Sequence, residues 1–173
     1  MQGLARPWGS LKFRQYLGFL AMLLLLLAAL PWIYMQLNQD QVLYRQAEQA
    51  LRSSQYQEAV RLYQSSRQEG MQPASVLQGL GEAYLALGEF NRAKQVFLEL
   101  SLSRPQDQGP RLQLAQAMAL SGEGTRALEI VEAILAHQPS WKTARIFQAR
   151  ILAWQGRFQE AIDIYYQILK EQG

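Results

Sequence analysis

The sequence predicts an all-α protein in which one N-terminal transmembrane helix precedes an α-solenoid of four helix-turn-helix repeats. Three observations predict this fold class. A leucine-rich stretch without charge occupies residues 16–35. Alanine then recurs every 34 residues, at Ala59, Ala93, Ala127 and Ala161. Glycine follows the same period, at Gly88, Gly122 and Gly156. A fixed period of this length is the signature of stacked supersecondary units.

The apolar stretch has the length of a membrane span. Tyr16–Met35 contains 20 residues, which make about 30 Å of helix, the thickness of a bilayer's hydrocarbon core. Tyr16 lies at one end and Trp32 at the other, as in the aromatic belts of membrane helices. A cleaved signal peptide is the competing interpretation, since the basic start and apolar centre are shared. We favour an uncleaved anchor because no small-x-small cleavage site follows the apolar core.

The charges beside this stretch predict its orientation. Basic residues precede it and no acidic residue occurs before Asp40; the basic residues are Arg6, Lys12 and Arg14. The positive-inside rule places the N-terminus in the cytoplasm and the repeats on the far side. We therefore expect a single-pass protein of a bacterial inner membrane, with its repeats in the periplasm. The predicted order is a cytoplasmic basic tail over 1–15, a transmembrane helix over 16–35, a short connector over 36–40 and the repeat domain over 41–173.

The connector between anchor and repeats is short. No glycine or proline occurs from Trp32 to Arg52. The membrane helix is therefore expected to continue, or nearly continue, into the first repeat helix. A frayed linker of a few residues is the alternative.

Composition excludes several classes of function. The 17 basic and 14 acidic residues differ by the three basic residues of the tail, so the repeat domain is electrically neutral. A nucleic-acid-binding domain carries its positive charge on the folded part, so nucleic acid is not an expected partner. The chain has no cysteine, which excludes disulfides and thiol catalysis.

Each repeat reads as two helices. In the second unit one apolar helical face comprises Leu77, Leu80, Gly81, Tyr84 and Leu87. Gly88 favours a helix end. The face of the next helix comprises Phe90, Ala93, Phe97 and Leu100, and Pro105 prevents its continuation. The four units span about residues 40–73, 74–107, 108–141 and 142–173.

This pattern resembles the tetratricopeptide repeat (TPR) family, specifically its single-pass membrane-anchored bacterial type. The resemblance covers about residues 40–173 and is strongest in the second unit. The sequence departs from the family pattern at three places, which are Gln46, Ser54 and Gly124. The resemblance implies a TPR-type α-solenoid whose helix pairs form a right-handed superhelix with a concave groove.

The resemblance also implies that the first helix of each pair lines that groove. The implied groove residues are Tyr44, Glu48, Leu51, Gln78, Glu82, Leu85, Leu112, Gln116, Leu120, Ile146, Arg150 and Trp154. The Lys and Asn clamp of chaperone-tail-binding members is missing. A mostly apolar lining suits an amphipathic helix or an extended apolar segment, and Trp154 is the expected hot spot. Four of these residues have an equally good interpretation as core between repeats, namely Leu85, Leu112, Leu120 and Ile146.

The last helix is the second expected interface. Its apolar side chains have fewer covering partners than their counterparts upstream, and they are Ile164, Tyr165, Ile168 and Leu169. Exposed apolar area of this kind marks interfaces. We expect self-association or partner docking there, unless the helix turns these side chains inward.

No motif indicates catalysis or a bound cofactor or metal. The single histidine, His137, has no nearby carboxylate cluster. We therefore expect a non-enzymatic scaffold or assembly factor that positions subunits of an envelope or membrane complex. The alternatives are a structural or regulatory subunit of such a complex, and a cytosol-facing TPR receptor.

Overall fold

The structure is a computed structural model that describes residues 8–37, 39–68 and 74–171. Over these ranges the chain forms nine α-helices and no strand. The helices are α1 (Trp8–Leu37), α2 (Gln39–Arg52), α3 (Tyr56–Gln68), α4 (Ala74–Ala86), α5 (Phe90–Ser103), α6 (Gln108–Leu120), α7 (Gly124–His137), α8 (Lys142–Trp154) and α9 (Phe158–Lys170). The helices from α2 to α9 form four successive pairs.

Each pair turns at a residue in the left-handed backbone conformation. In three of the turns this residue is glycine, with φ of 74° at Gly88, 93° at Gly122 and 79° at Gly156. The following N–H in each turn donates to a carbonyl of the last helical turn, as from Glu89 to Tyr84 at 2.9 Å. This bond satisfies a carbonyl that the helix end would leave unpaired. In the first pair Ser54 takes the same place with φ of 59°.

The helices pack in chain order, each on the next. The second helix of a pair contacts its own first helix and the first helix of the following pair. The recurring alanines are buried where the helices of a pair cross. At Gly81 an added Cβ would lie 2.5 Å from the ring of Phe97. Small residues therefore set the close approach of α4 and α5.

The core has two parts that meet at α6. One buried cluster spans α2 to α5 and includes Ala117 of α6, and the other spans α6 to α9. Leu114 packs against both clusters. Arg67 of α3 and Glu99 of α5 also form an ion pair between neighbouring units, with 2.9 Å between nitrogen and oxygen. The four pairs therefore share a core that continues from unit to unit.

The predicted membrane span is corrected by the structure. Among the residues that the structure describes, none of the helices is long and apolar enough to cross a membrane. A membrane span needs about 20 consecutive, predominantly apolar residues, and α1 does not meet the two conditions of length and hydropathy together over its described residues. The span over 16–35, the inner-membrane location and the periplasmic repeats are therefore not retained.

Parts of the predicted N-terminal organisation lie outside the described residues. Residues 1–7 of the basic tail and residue 38 of the connector over 36–40 are among them. Between the described helices, α1 ends at Leu37 and α2 begins at Gln39. In α1 the leucine side chains from Leu17 to Leu30 are exposed.

Candidate partner-binding surface

The first helices of neighbouring pairs lie side by side at both ends of the stack. α2 contacts α4, and α6 contacts α8. We call the solvent-facing side of α2, α4, α6 and α8 the first-helix surface. Of the twelve residues predicted to line a groove, three are exposed, namely Glu82, Arg150 and Trp154. Leu112 is buried in the core. The other eight are half-buried, namely Tyr44, Glu48, Leu51, Gln78, Leu85, Gln116, Leu120 and Ile146.

A cleft of about 470 Å³ lies between the N-terminal turns of α4 and α6, beside the end of α5. Two predicted groove residues line it, Gln78 from α4 and Leu112 from α6. The sequence reasoning missed the other polar and aromatic lining residues, which are Ser75, Arg104, Asp107, Gln113 and Trp141. The cleft therefore combines amides, one ion of each sign and one indole.

Local hydrogen bonds build the wall of this cleft. Asp107 caps α6, since its carboxylate accepts from the N–H of Gly109 at 2.9 Å. Its own N–H donates to the carbonyl of Arg104 at 3.0 Å, which fixes the turn between α5 and α6. Pro110 lies in the first turn of α6 and is buried, a position where a missing N–H is tolerated. The wall is therefore formed by regular backbone structure.

Trp141 carried a signal that could have identified it. It stands 34 residues after Asp107, directly before α8. The preceding unit has an aspartate at this turn position, and aspartate caps the helix that follows. Tryptophan cannot cap a helix with its side chain, so its presence here indicates another role. Its half-buried ring reaches back to the cleft.

The end of the surface formed by α2 and α4 carries charges of both signs. Arg45 and Arg52 of α2 are exposed, and Arg52 lies 3.6 Å from the carboxylate of Glu48. Glu48 accepts a hydrogen bond from the hydroxyl of the buried Tyr63, and Glu82 accepts one from the amide of Gln78. The ring of Tyr44 lies 6.1 Å from that of Tyr63. Burial raises the pKa of Tyr63 well above its usual value, and the charges of Glu48 and Glu82 add to this effect. Both carboxylates therefore contribute to the raised pKa of one buried phenol.

The end formed by α8 is cationic and aromatic. The guanidinium carbon of Arg150 lies 5.1 Å from the ring centre of Trp154 and 6.0 Å from that of Phe147. The two rings are 6.4 Å apart and nearly perpendicular. Stacking of this kind holds the guanidinium in place while leaving its N–H groups available. Trp154 is 52% exposed, so the ring offers an apolar contact to a ligand.

The predicted last-helix interface is only partly on the surface. Tyr165 and Leu169 are exposed, Ile164 is half-buried and Ile168 is buried in the core. The exposed apolar side chains of α9 also include three that were not predicted, namely Phe158, Ile162 and Tyr166. The acidic and histidine side chains in the described ranges form no group of three that could hold a metal ion.

Comparison with known proteins supports the repeat family. The tetratricopeptide repeat family model matches residues 50–119. No curated protein matches the sequence. The TPR fold is typical of non-enzymatic scaffolds, and its members mediate protein–protein interaction. This match supports a tetratricopeptide repeat region over residues 50–119, and the structural neighbours below share the TPR fold; neither supports the membrane-anchored type.

Several solved structures share the fold. TTC0263, a thermophilic TPR protein in Thermus thermophilus, is 20% identical to this chain, with a TM-score of 0.63. The alignment covers 76% of this chain and 73% of the TTC0263 chain. A tetratricopeptide repeat protein from Parabacteroides merdae is 19% identical with a TM-score of 0.70, and this chain spans 53% of it. YrrB, described as a TPR protein with an unusual peptide-binding site, is 18% identical to this chain, with a TM-score of 0.65. The alignment covers 85% of this chain and 78% of the YrrB chain.

Proposed function

We propose that this chain is a protein-interaction scaffold that holds a segment of another protein on its first-helix surface. The cleft between α4 and α6 is the centre of the site, and it is the observation that carries the proposal. It is concave, lies on the surface formed by the first helices and combines apolar with hydrogen-bonding side chains. Ligand sites of proteins share these features.

The lining of the cleft favours an extended segment of the partner. Gln78 and Gln113 each present an amide that can donate and accept, which matches the alternating N–H and C=O groups of an extended backbone. Trp141 adds a flat apolar face for a side chain of the segment. A helix satisfies its own backbone groups and would therefore leave the Gln113 amide, and the hydrogen-bonding capacity that Gln78 retains beside its bond to Glu82, without a use.

The charges flanking the cleft give the segment a direction. Glu82 is exposed on α4 and favours a Lys or Arg side chain at one end, whereas Arg150 favours a carboxylate at the other. The preferred ligand is therefore an extended segment with a basic residue near α4 and an acidic residue or terminal carboxylate near α8.

A second candidate function is that of a structural or regulatory subunit in a larger complex. The exposed apolar side chains of α9 favour it, because exposed apolar area of this kind marks interfaces. The two functions are compatible, since they use different surfaces.

Peptide display on the purified full chain tests the first candidate. Selected peptides are measured against two variants that each add a large ring. Gln113→Trp fills the cleft, and Leu98→Trp is the matched control at an exposed position of α5. We expect Gln113→Trp to weaken binding about tenfold or more, a loss of about 1.4 kcal/mol, and the control to leave it unchanged. Equal binding by both variants would refute the cleft as the site.

Charge reversal tests the proposed direction. Glu82→Lys is expected to select peptides that have lost their basic residue and gained an acidic one at the same position. Unchanged peptide sequences would remove the direction from the proposal while leaving the cleft itself in place.

A further inference from the structure

Tyr165 of α9 has an exposed side chain at a position that is buried in every other unit. The 34-residue period aligns it with Tyr63, Phe97 and Val131. All three are 0% exposed, whereas Tyr165 is 37% exposed. The same helical stripe includes Phe158, Ile162 and Leu169, which are 64%, 57% and 67% exposed. The spacing of these four residues follows one face of a helix.

In the other units a helix covers this position. Tyr63 of α3 is buried by α4, where its hydroxyl lies 2.2 Å from the place of a Cβ at Gly79. Likewise α5 packs on α6 and α7 packs on α8. Among the described elements α9 packs on α8, its own first helix. The structure therefore shows which kind of element fits the stripe, namely a helix that brings an apolar face.

The opposite end of the stack does not supply a matching face. The positions in α2 that correspond to Gly79, Leu80 and Ala83 of α4 hold Arg45, Gln46 and Gln49. All three of these side chains are exposed. Stacking α9 of one copy on α2 of the next would bury a charge and two amides against apolar side chains, which is costly without partners. This face of α2 therefore does not match the apolar stripe of α9.

We infer that two copies of this chain associate tail to tail, with α9 of each packed antiparallel on α9 of the other. About a two-fold axis near residues 163 and 164, Phe158 lies against the second copy's Leu169, and Ile162 lies against the second copy's Tyr165. A two-fold interface needs a self-complementary patch, and this stripe pairs apolar with apolar along its length. The antiparallel arrangement also opposes the helix dipoles favourably.

The size of the stripe is sufficient for a specific contact. With Tyr166, which is 68% exposed, five side chains contribute. Three of the five are aromatic, and an aromatic side chain buries 150–250 Å² when it is fully covered. An exposed area of roughly 100 Å² for each of the five gives about 500 Å² per copy if all of it is covered. The total of about 1,000 Å² is at the lower limit of specific interfaces. This surface is separate from the cleft, so the inference stands or falls independently of the proposed function.

Disulfide cross-linking of the full chain tests this arrangement, because the natural sequence has no cysteine. Two single variants are made, Phe158→Cys and Leu169→Cys. In the antiparallel pair, position 158 of one copy would lie about 16 Å along the helices from position 158 of the other, beyond the reach of a disulfide. Positions 158 and 169 of opposite copies would be adjacent. We therefore expect a disulfide dimer only when the two variants are mixed before oxidation.

Controls separate this contact from random collision. Leu102→Cys, at an exposed position of α5, is mixed with each variant and is expected to give no dimer above background. Adding Ile162→Glu to both cysteine variants is expected to abolish the mixed dimer, with circular dichroism confirming retained helix. Equal cross-linking at Leu102, cross-linking of Phe158→Cys with itself, or no mixed dimer would each overturn the inference.

Discussion

The hydroxyl oxygen of Tyr63 lies 2.2 Å from the place where a Cβ atom on residue 79 would stand. Glycine is thus the one residue type at position 79 that leaves room for the Tyr63 ring between the first and second units. The ring is fully buried, and its hydroxyl donates to Glu48. A packing contact in the core and a carboxylate of the first-helix surface are therefore joined by one side chain.

Replacing Gly79 with alanine tests this packing. Because the added methyl would overlap a fully buried ring, we expect the free energy of unfolding to fall by about 1–3 kcal/mol. Gly124→Ala is the matched control, since its Cβ would meet the Gln155 side chain at 3.4 Å, an ordinary contact. Urea denaturation measures both variants. A Gly79→Ala protein as stable as the control would contradict the packing.

The turn of the first unit offers a stabilising change. Ser54 has φ of 59°, where the other turns hold glycine. A non-glycine residue there carries roughly 1–2 kcal/mol of backbone strain. We expect Ser54→Gly to raise the melting temperature. The gain in stability should be smaller than the strain removed, because glycine also increases the conformational freedom of the unfolded chain. Gly122→Ala, the reverse change, should lower it. If Ser54→Gly lowers the melting temperature, the turn is not strained as described.

Tyr63 should resist ionisation in the folded protein. Its pKa is raised by burial and by Glu48, so the stability it contributes is present below the unfolded pKa of about 10 and is lost as pH rises above it. In an ultraviolet titration we expect folded wild type and folded Tyr63→Phe to show the same number of ionised tyrosines. Only wild type should show one further tyrosinate upon alkaline unfolding. An extra signal from folded wild type would contradict this.

The ion pair between Lys94 and Glu123 should make stability depend on acid pH. It joins α5 to the residue before α7, and the Lys94 hydrogen bond lowers the pKa of Glu123, with a smaller contribution from Arg126. The resulting stability is present above the unfolded pKa of about 4.3 and is lost as pH falls through the folded value.

The change that tests this is Lys94→Gln. We expect it to lower the melting temperature at neutral pH, with the difference from wild type shrinking as pH falls below about 4. Lys142→Gln, at an exposed site, is the control and should change little at either pH. A deficit for Lys94→Gln that persists undiminished in acid would show that the contact is not electrostatic.

The period of the sequence predicted the repeat architecture well, and for a physical reason. Ala93 and Gly88 can each be assigned from sequence, since a close helix crossing and a left-handed turn accept few residue types. The cleft could not be assigned in the same way. Trp141 reaches it from a turn, and Leu112 fills the core below it. Both depend on the spacing between α4 and α6, which no local pattern encodes.

The prediction for the apolar segment was wrong. Residues 16–35 were assigned as a span from composition and length, but no helix in the described part of the chain is both long and apolar enough to cross a membrane. On α9 Tyr165 is exposed, whereas Ile168 is buried. The prediction grouped the two residues, because the sequence pattern does not specify which side of α9 packs on α8.

Site-specific photo-cross-linking in cells of the source organism tests the central claim most directly. A benzophenone amino acid replaces Gln78 in the cleft, and in a second protein it replaces Leu98 on α5. We predict that the probe at position 78 captures a discrete partner protein, at a single segment, and that the probe at position 98 does not. Capture of the same proteins in equal yield from both positions would contradict the claim that the first-helix cleft holds the partner.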